Sequence, residues 1–249
     1  MLNNILKGIQ AYFGVFGLIS KLKLWKYFFV PMLISLITAI IIGVSAYGFS
    51  DTIANYVTSL LPDWANYSWV TTVFAIISNA SIITLGLILY KYIVLALSAP
   101  FMSPVSEKIE THLTGIENNT FRNTSFQQQL WRGIRLNIRN FLMELVLTVP
   151  ILILNFLPLI GNISSTVLLF LLQSYYAGFG NMDYTLERHY NYAESSRFVR
   201  NHRGMAIGNG IVFLLFLFIP IVGVVLVLPL SVTAASTETV KRIQYQKSL

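Results

Sequence analysis

Residues 145–182 contain no charged side chain, and neither do residues 205–237. Runs of this length leave few folds open. In lipid every backbone N–H and C=O must find its partner within the protein, so a spanning segment is a helix or part of a closed barrel. A stretch of about 18 apolar residues is enough for a helix to cross. Two further runs meet that length: Trp25 to Tyr47, with Lys26 at its start, and Trp69 to Phe101, with Lys91 toward its far end. Only 11% of the 249 residues are charged and 55% are hydrophobic, against roughly 25% charged in soluble domains. The chain reads as an all-α integral membrane protein.

Each uncharged run is interrupted once, by Phe156-Leu157-Pro158-Leu159-Ile160-Gly161 and by Phe218-Ile219-Pro220-Ile221-Val222-Gly223. Both share Phe-x-Pro-x-x-Gly, and Pro followed by Gly is a turn signal. The arms on either side are short for full spans. They predict two helical hairpins, about 141–180 and 205–237, with apolar tips. Such tips can stop inside the bilayer, making the hairpins hemi-penetrating, if their backbone is buried in protein. Ordinary spanning hairpins are the alternative. The expected architecture is two long transmembrane helices, about 25–47 and 69–101, plus these hairpins, in one membrane domain over 1–249. The second helix is longer than a core of roughly 30 Å requires. Residues 48–68 read as a polar loop. Pro104, preceded by Ser103, reads as a helix start. Ile5, Ile9, Tyr12, Phe13 and Phe16 recur at helical spacing, which predicts an N-terminal amphipathic helix in the interface, weakened by Gly14 and Gly17. No secretory cleavage site follows Met1, so the first long run is expected to remain as an anchor.

The basic residues set the orientation. Of 17 Lys and Arg, four precede or start the first run (Lys7, Lys21, Lys23, Lys26), none lies in 48–68, and twelve lie in 102–140, 183–204 and the tail. The positive-inside rule puts both termini and the large polar segments in the cytoplasm. The net charge of +7 therefore reads as topology control and attraction to anionic lipid, not as nucleic-acid binding.

The sequence holds little that suggests catalysis. There is no cysteine, which excludes disulfides and thiolate metal sites. His112, His189 and His202 lack metal-ligand spacing, and no Walker A, GxSxG or GxGxxG pattern is present. His189 and His202 read as solvated, and no cofactor, metal or catalytic residue is expected. Lys91 reads as snorkelling to the headgroups, ahead of an inward-facing role. Glu144, at the edge of an uncharged run, reads as a pair with Arg139 or Arg135, with a pathway role as the alternative. Asp183, Glu187 and Arg188, with Arg197, Arg200 and Arg203, read as carboxylate–guanidinium pairing at the membrane surface. Lys21-Leu22-Lys23-Leu24-Trp25-Lys26 precedes a helix start, where cations and the positive helix end together could hold an anion. Positive-inside flanking alone also accounts for it.

Four segments in order carry a family resemblance. They are Leu97-Ser98-Ala99-Pro100-Phe101 with Ser106-Glu107-Lys108-Ile109-Glu110; Gly178-Phe179-Gly180-Asn181-Met182-Asp183-Tyr184 with Glu187-Arg188; Arg200-Asn201-His202-Arg203-Gly204; and Ile219-Pro220 with Leu228-Pro229-Leu230-Ser231-Val232-Thr233-Ala234-Ala235. Together they resemble the CysZ-like membrane proteins, the EI24-domain family. The resemblance implies a sulfate permease of the bacterial inner membrane serving cysteine biosynthesis, with two long transmembrane helices, hemi-penetrating hairpins and oligomeric assembly. It implies as partners sulfate or another small anion, the lipid bilayer and further copies of the chain. The family's sulfate-binding Gly-Leu-Arg-Arg, counted back from Pro31, falls on Lys23, Leu24, Trp25 and Lys26. Only the leucine is kept, and Lys26 keeps the final charge. Lys and Arg are not equivalent at a bidentate anion site. Arg139 and Glu144 are the further pathway-lining candidates, and a scaffold or stress role without transport is the rival reading.

Overall fold

Helix starts and breaks follow local chemistry. Gly14, at φ 86°, divides the N-terminal segment into α1 (Leu2–Gln10) and α2 (Val15–Lys21), where the sequence predicts one helix. The computed structural model describes residues 1–59, 67–116, 124–154, 161–219 and 222–247. Its further helices are α3 (Trp25–Ser59), α4 (Ser68–Leu97), α5 (Ala99–Thr114), α6 (Phe126–Ile153), α7 (Gly161–Leu186), α8 (Tyr192–Asn201), α9 (Arg203–Leu217) and α10 (Val222–Lys247). The hairpin tips around Pro158 and Pro220, and Pro62 and Asp63 of the expected outer loop, lie outside the described residues. Trp25–Phe49, Phe126–Ile153 and Val222–Gln246 are each long and apolar enough to cross a membrane. The all-α membrane fold stands.

Three expectations change. Residues 48–59 are helical, so α3 runs on past Tyr47. The run 69–101 does not form one helix. It breaks at Ser98, and α5 leaves the last turns of α4 at 67°. Pro100 stands in the first turn of α5, where its missing N–H costs least, and Pro104 lies inside α5. The first hairpin arm starts earlier than 141, because Ser125 and Gln128 form a reciprocal capping box that satisfies two free N–H groups.

Side-chain pairings give the packing. Arg132 meets Asp183 and Asn137 lies beside Gly180, so α6 and α7 are antiparallel. Asn209 Nδ2 donates to the Ser231 carbonyl at 3.0 Å, and Gly223 packs on Phe216, so α9 and α10 form a second antiparallel hairpin. Helix α9 is wedged between α1 and α7 by small residues on two faces. Gly204 and Gly208 lie against the α1 backbone, while Gly178 and Gly210 bring α7 and α9 together. A Cβ at Gly210 would overlap the Ser174 carbonyl. Such small-residue contacts are how helices associate where burial from water is not available. They also bury one side of α1, which the amphipathic pattern places in the interface; Phe13 and Phe16 stay exposed. These pairings collect the start of α1, Arg132, Asp183 and Arg203 at one end of the bundle.

Candidate anion site and interior ion pairs

The turn between α2 and α3 carries the expected anion residues. Lys23 adopts φ 52°, the left-handed region that costs an L-residue roughly 1–2 kcal/mol. The resemblance places the family's glycine at this position, and glycine adopts such a backbone without that cost. Leu24 is fully buried, and its N–H donates to the Ile19 carbonyl at 2.9 Å. It anchors the turn and offers no side chain to a ligand. Trp25 packs edge-on against Phe28 and tilted against Phe16. Lys23 and Lys26 are exposed, and among the described residues no carboxylate lies within ion-pair distance of either.

The bend at Ser98 swings α5 across this turn. Lys26 Nζ lies 5.1 Å and Lys108 Nζ 5.4 Å from the centre of the Tyr27 ring, within reach for cation–π attraction. Beside Tyr27 a cavity of about 500 Å³ is lined by Leu22, Pro104, Glu107, Lys108 and His112 among others. Sequence reasoning did not join Lys108 and His112 to this site. Pro100, in the first turn of α5, was the signal that could have found them, since hydropathy does not show the break.

Glu144 and Lys91 correct two expectations together. Glu144 does not pair with Arg139 or Arg135, and Lys91 does not snorkel. Lys91 Nζ donates to Glu144 Oε2 at 2.7 Å, with the two side chains 2% and 4% exposed. The Tyr92 hydroxyl donates to the same oxygen. Lys91 lies six residues before the end of α4, roughly 9 Å along its axis. One turn earlier on α6, Asn140 is fully buried, and neither of its amide atoms has a partner among the described residues. Arg139 reaches α8 instead, where it donates to Ser196 Oγ at 3.3 Å and, like Arg135, stacks on the Tyr192 ring.

A knot of charges ties α5, α6 and α7 together at the polar end. Arg132 holds Asp183 with two hydrogen bonds, of 3.0 and 2.7 Å, and also donates to the Tyr190 carbonyl and Ser195 Oγ. Arg188 Nη2 donates to Glu110 Oε2 at 2.8 Å. His189 Nε2 lies 2.7 Å from the other Glu110 oxygen, its side chain only 5% exposed. His189 is thus buried, not solvated, because Glu110 draws it inward; Asp183 and Arg188 do pair, but with Arg132 and Glu110, and among the described residues Glu187, Arg197, Arg200 and Arg203 form no ion pair. The knot shifts two of its carboxyls in opposite directions. Burial pushes Glu110 up, but hydrogen bonds from His189 and Arg188 and their charges outweigh it and hold the group below its ordinary value. Burial pushes Glu187 up to about 7, helped by Asp183 and opposed by a hydrogen bond from Ser103 and by Arg132 and Arg188. Among the described residues no group of His, Asp and Glu is arranged to hold a metal.

Comparison with known proteins gives the family. The sulfate transporter CysZ of Pectobacterium atrosepticum is 21% identical over 239 residues, covering 94% of this chain and 85% of that protein. The sulfate transporter CysZ of Vibrio parahaemolyticus is 23% identical over 181 residues, covering 72% and 73%. The family described as sulfate transporter CysZ/etoposide-induced protein 2.4 matches residues 11–227, most of the chain, and the protein belongs to this EI24 family.

Proposed function

We propose that the protein is an anion permease of a bacterial cytoplasmic membrane, with sulfate as its leading substrate and cysteine biosynthesis as the use of that sulfate. The observation that carries this reading is the cationic turn, where Lys23 and Lys26, without an ion-pair partner among the described residues, stand at the N-terminus of α3, with Lys108, His112 and Glu107 lining a cavity beside Tyr27. The helix end adds about half a positive charge there. Cations without counter-ions at a helix start attract an oxyanion and release it readily, as a permeation site requires. The names of the relatives support sulfate in particular.

The charge distribution favours cytoplasmic termini. Helix α9, at 15 residues, spans about 22 Å, which favours a hairpin that stops within the bilayer. Assembly of several copies would enclose such hairpins. Glu144 belongs to the interior of the route, and Arg139 adds positive potential at its cytoplasmic end. Passive or ion-coupled flux fits a chain without an ATP-binding pattern.

The test is uptake of radiolabelled sulfate into proteoliposomes, with Lys26→Ala in parallel. Uptake well above empty liposomes, strongly reduced by Lys26→Ala, is expected. No uptake by correctly inserted protein would overturn the sulfate reading. One observation favours a second reading, a membrane scaffold without transport. Neither position matching the family's paired arginines holds a guanidinium, so bidentate oxyanion contacts are lost.

A further inference from the structure

A second cavity, of about 270 Å³, lies between α4, α7 and α9 and is lined by Ile88, Lys91, Phe170, Gln173, Leu214 and Leu217, with Phe218 at its edge. It has room for several waters or one small solute. Lys91 is its one charged lining residue among the described residues. Glu144, which pairs with Lys91, is not part of the wall. The two partners are therefore placed unequally: the Lys91 side chain belongs to the wall, while the Glu144 carboxylate, held also by the Tyr92 hydroxyl, does not. An ammonium has three donors, and Glu144 takes one of them. Gln173 supplies an amide on the same wall. A buried ion pair is a poor source of stability, because apolar residues of similar volume serve as well or better. Its retention beside a cavity that meets only its positive partner needs another explanation.

We propose that this cavity is an interior binding site for a small inorganic anion, with Lys91 as the binding cation and Glu144 as a built-in competitor. The inference rests on the anion-permease reading for its place in a route, but the site stands on its own geometry. Glu144 lowers the charge the anion meets, which keeps occupancy brief, as conduction requires. Removing the competitor tightens the site, and removing the ammonium abolishes it.

The natural chain has no cysteine, so a single thiol reports the cavity without background. Gln173→Cys is placed in full-length protein in proteoliposomes. Its modification rates by an anionic sulfonatoethyl methanethiosulfonate and a cationic trimethylammonium-ethyl methanethiosulfonate are then compared. One nearby unit charge at an effective dielectric of about 20 should favour the anionic reagent on the order of tenfold. Adding Glu144→Gln should widen the preference and let chloride or sulfate slow the reaction. The double change Lys91→Met with Glu144→Gln leaves no buried charge stranded and should erase the preference while the thiol still reacts. A thiol unreactive toward both reagents, or a preference that survives the double change, would overturn the proposal. Sulfate uptake measured on the same preparations separates the two ideas. Uptake without the charge preference defeats only the interior site, and the preference without uptake defeats only sulfate as substrate.

Discussion

Lys23 and Lys26 stand exposed with no carboxylate in ion-pair reach among the described residues, whereas Lys91, Arg132 and Arg188 each end on one, at 2.7 to 2.8 Å. The two groups answer to different costs. A charge taken from water loses several kcal/mol even after the protein relaxes, and only a close counter-charge with further hydrogen bonds recovers it. A charge left in water loses nothing and keeps its field for a mobile anion. Among the described residues the buried cations thus sit in ion pairs, and the α2–α3 turn holds net charge because it is wet. If this division is right, substitutions inside should act first on stability, and substitutions at the turn on binding alone.

The largest effect belongs to the deepest pair. Lys91→Ala strands the Glu144 carboxylate, and Glu144→Ala strands the ammonium. Either should cost about 3–5 kcal/mol, read as an earlier loss of helical circular dichroism on heating in detergent. Lys91→Met combined with Glu144→Leu should restore most of that loss. A single change with an effect under about 1 kcal/mol, the range of exposed pairs, would show that water reaches the pair and break the comparison.

The polar knot gives the next effect, with a pH signature. The folded Glu187 carboxyl titrates at about 7 and its ordinary value is 4.5, so between these values the folded state binds the extra proton. Stability from this group is whole below pH 4.5 and falls as pH rises through 7. At 1.36 kcal/mol per unit the loss is about 3 kcal/mol. Glu187→Gln should therefore raise Tm at pH 8 and leave it unchanged near pH 4. Glu110 has the opposite sign. Its depressed carboxyl stabilises above its ordinary value, and that contribution is lost on acidification. A Glu187→Gln gain equal at both pH values would remove titration as the cause.

A smaller effect tests the turn's backbone. Lys23 holds a left-handed conformation that glycine adopts freely. Lys23→Gly should raise stability by up to about 1 kcal/mol while weakening anion capture, since it removes a cation. A variant that becomes less stable would mean that the Lys23 side chain, not its backbone, holds the turn.

Much of this was readable beforehand because hydrophobic runs and basic flanks are one-dimensional signals. The Trp25 start of α3, the two hairpins and the single polar end follow from where charges are absent. The partners of buried charges were less legible. Glu144 has Arg139 and Arg135 within three turns on its own helix, and sequence proximity favoured them; in the fold those arginines turn to Tyr192, and α4 brings Lys91. The bend at Ser98 was hidden because Leu97-Ser98-Ala99-Pro100 is as apolar as its neighbours, so hydropathy carried the run straight through. The glycines at 204, 208 and 210 carry no hydropathy signal, yet their missing side chains let α1 and α7 approach α9.

The smallest stability effect should accompany the clearest binding effect. Lys26 and Lys108 lie over one Tyr27 ring and are unpaired among the described residues, so Lys26→Ala and Lys108→Ala should each change stability by less than about 0.5 kcal/mol. Their fields overlap at the mouth of one cavity, and each should weaken sulfate binding measured by calorimetry in detergent. Both losses should shrink with salt, because a Debye length near 8 Å at 0.15 M screens exposed charges. Removing both lysines should cost less than the sum of single losses if one anion bridges them, because either single change already breaks the bridge, and equal the sum if each acts only through its field. Equal binding by parent and double variant would mean that the turn's charges serve topology alone. The unpaired cations would then differ from the paired ones only in being wet.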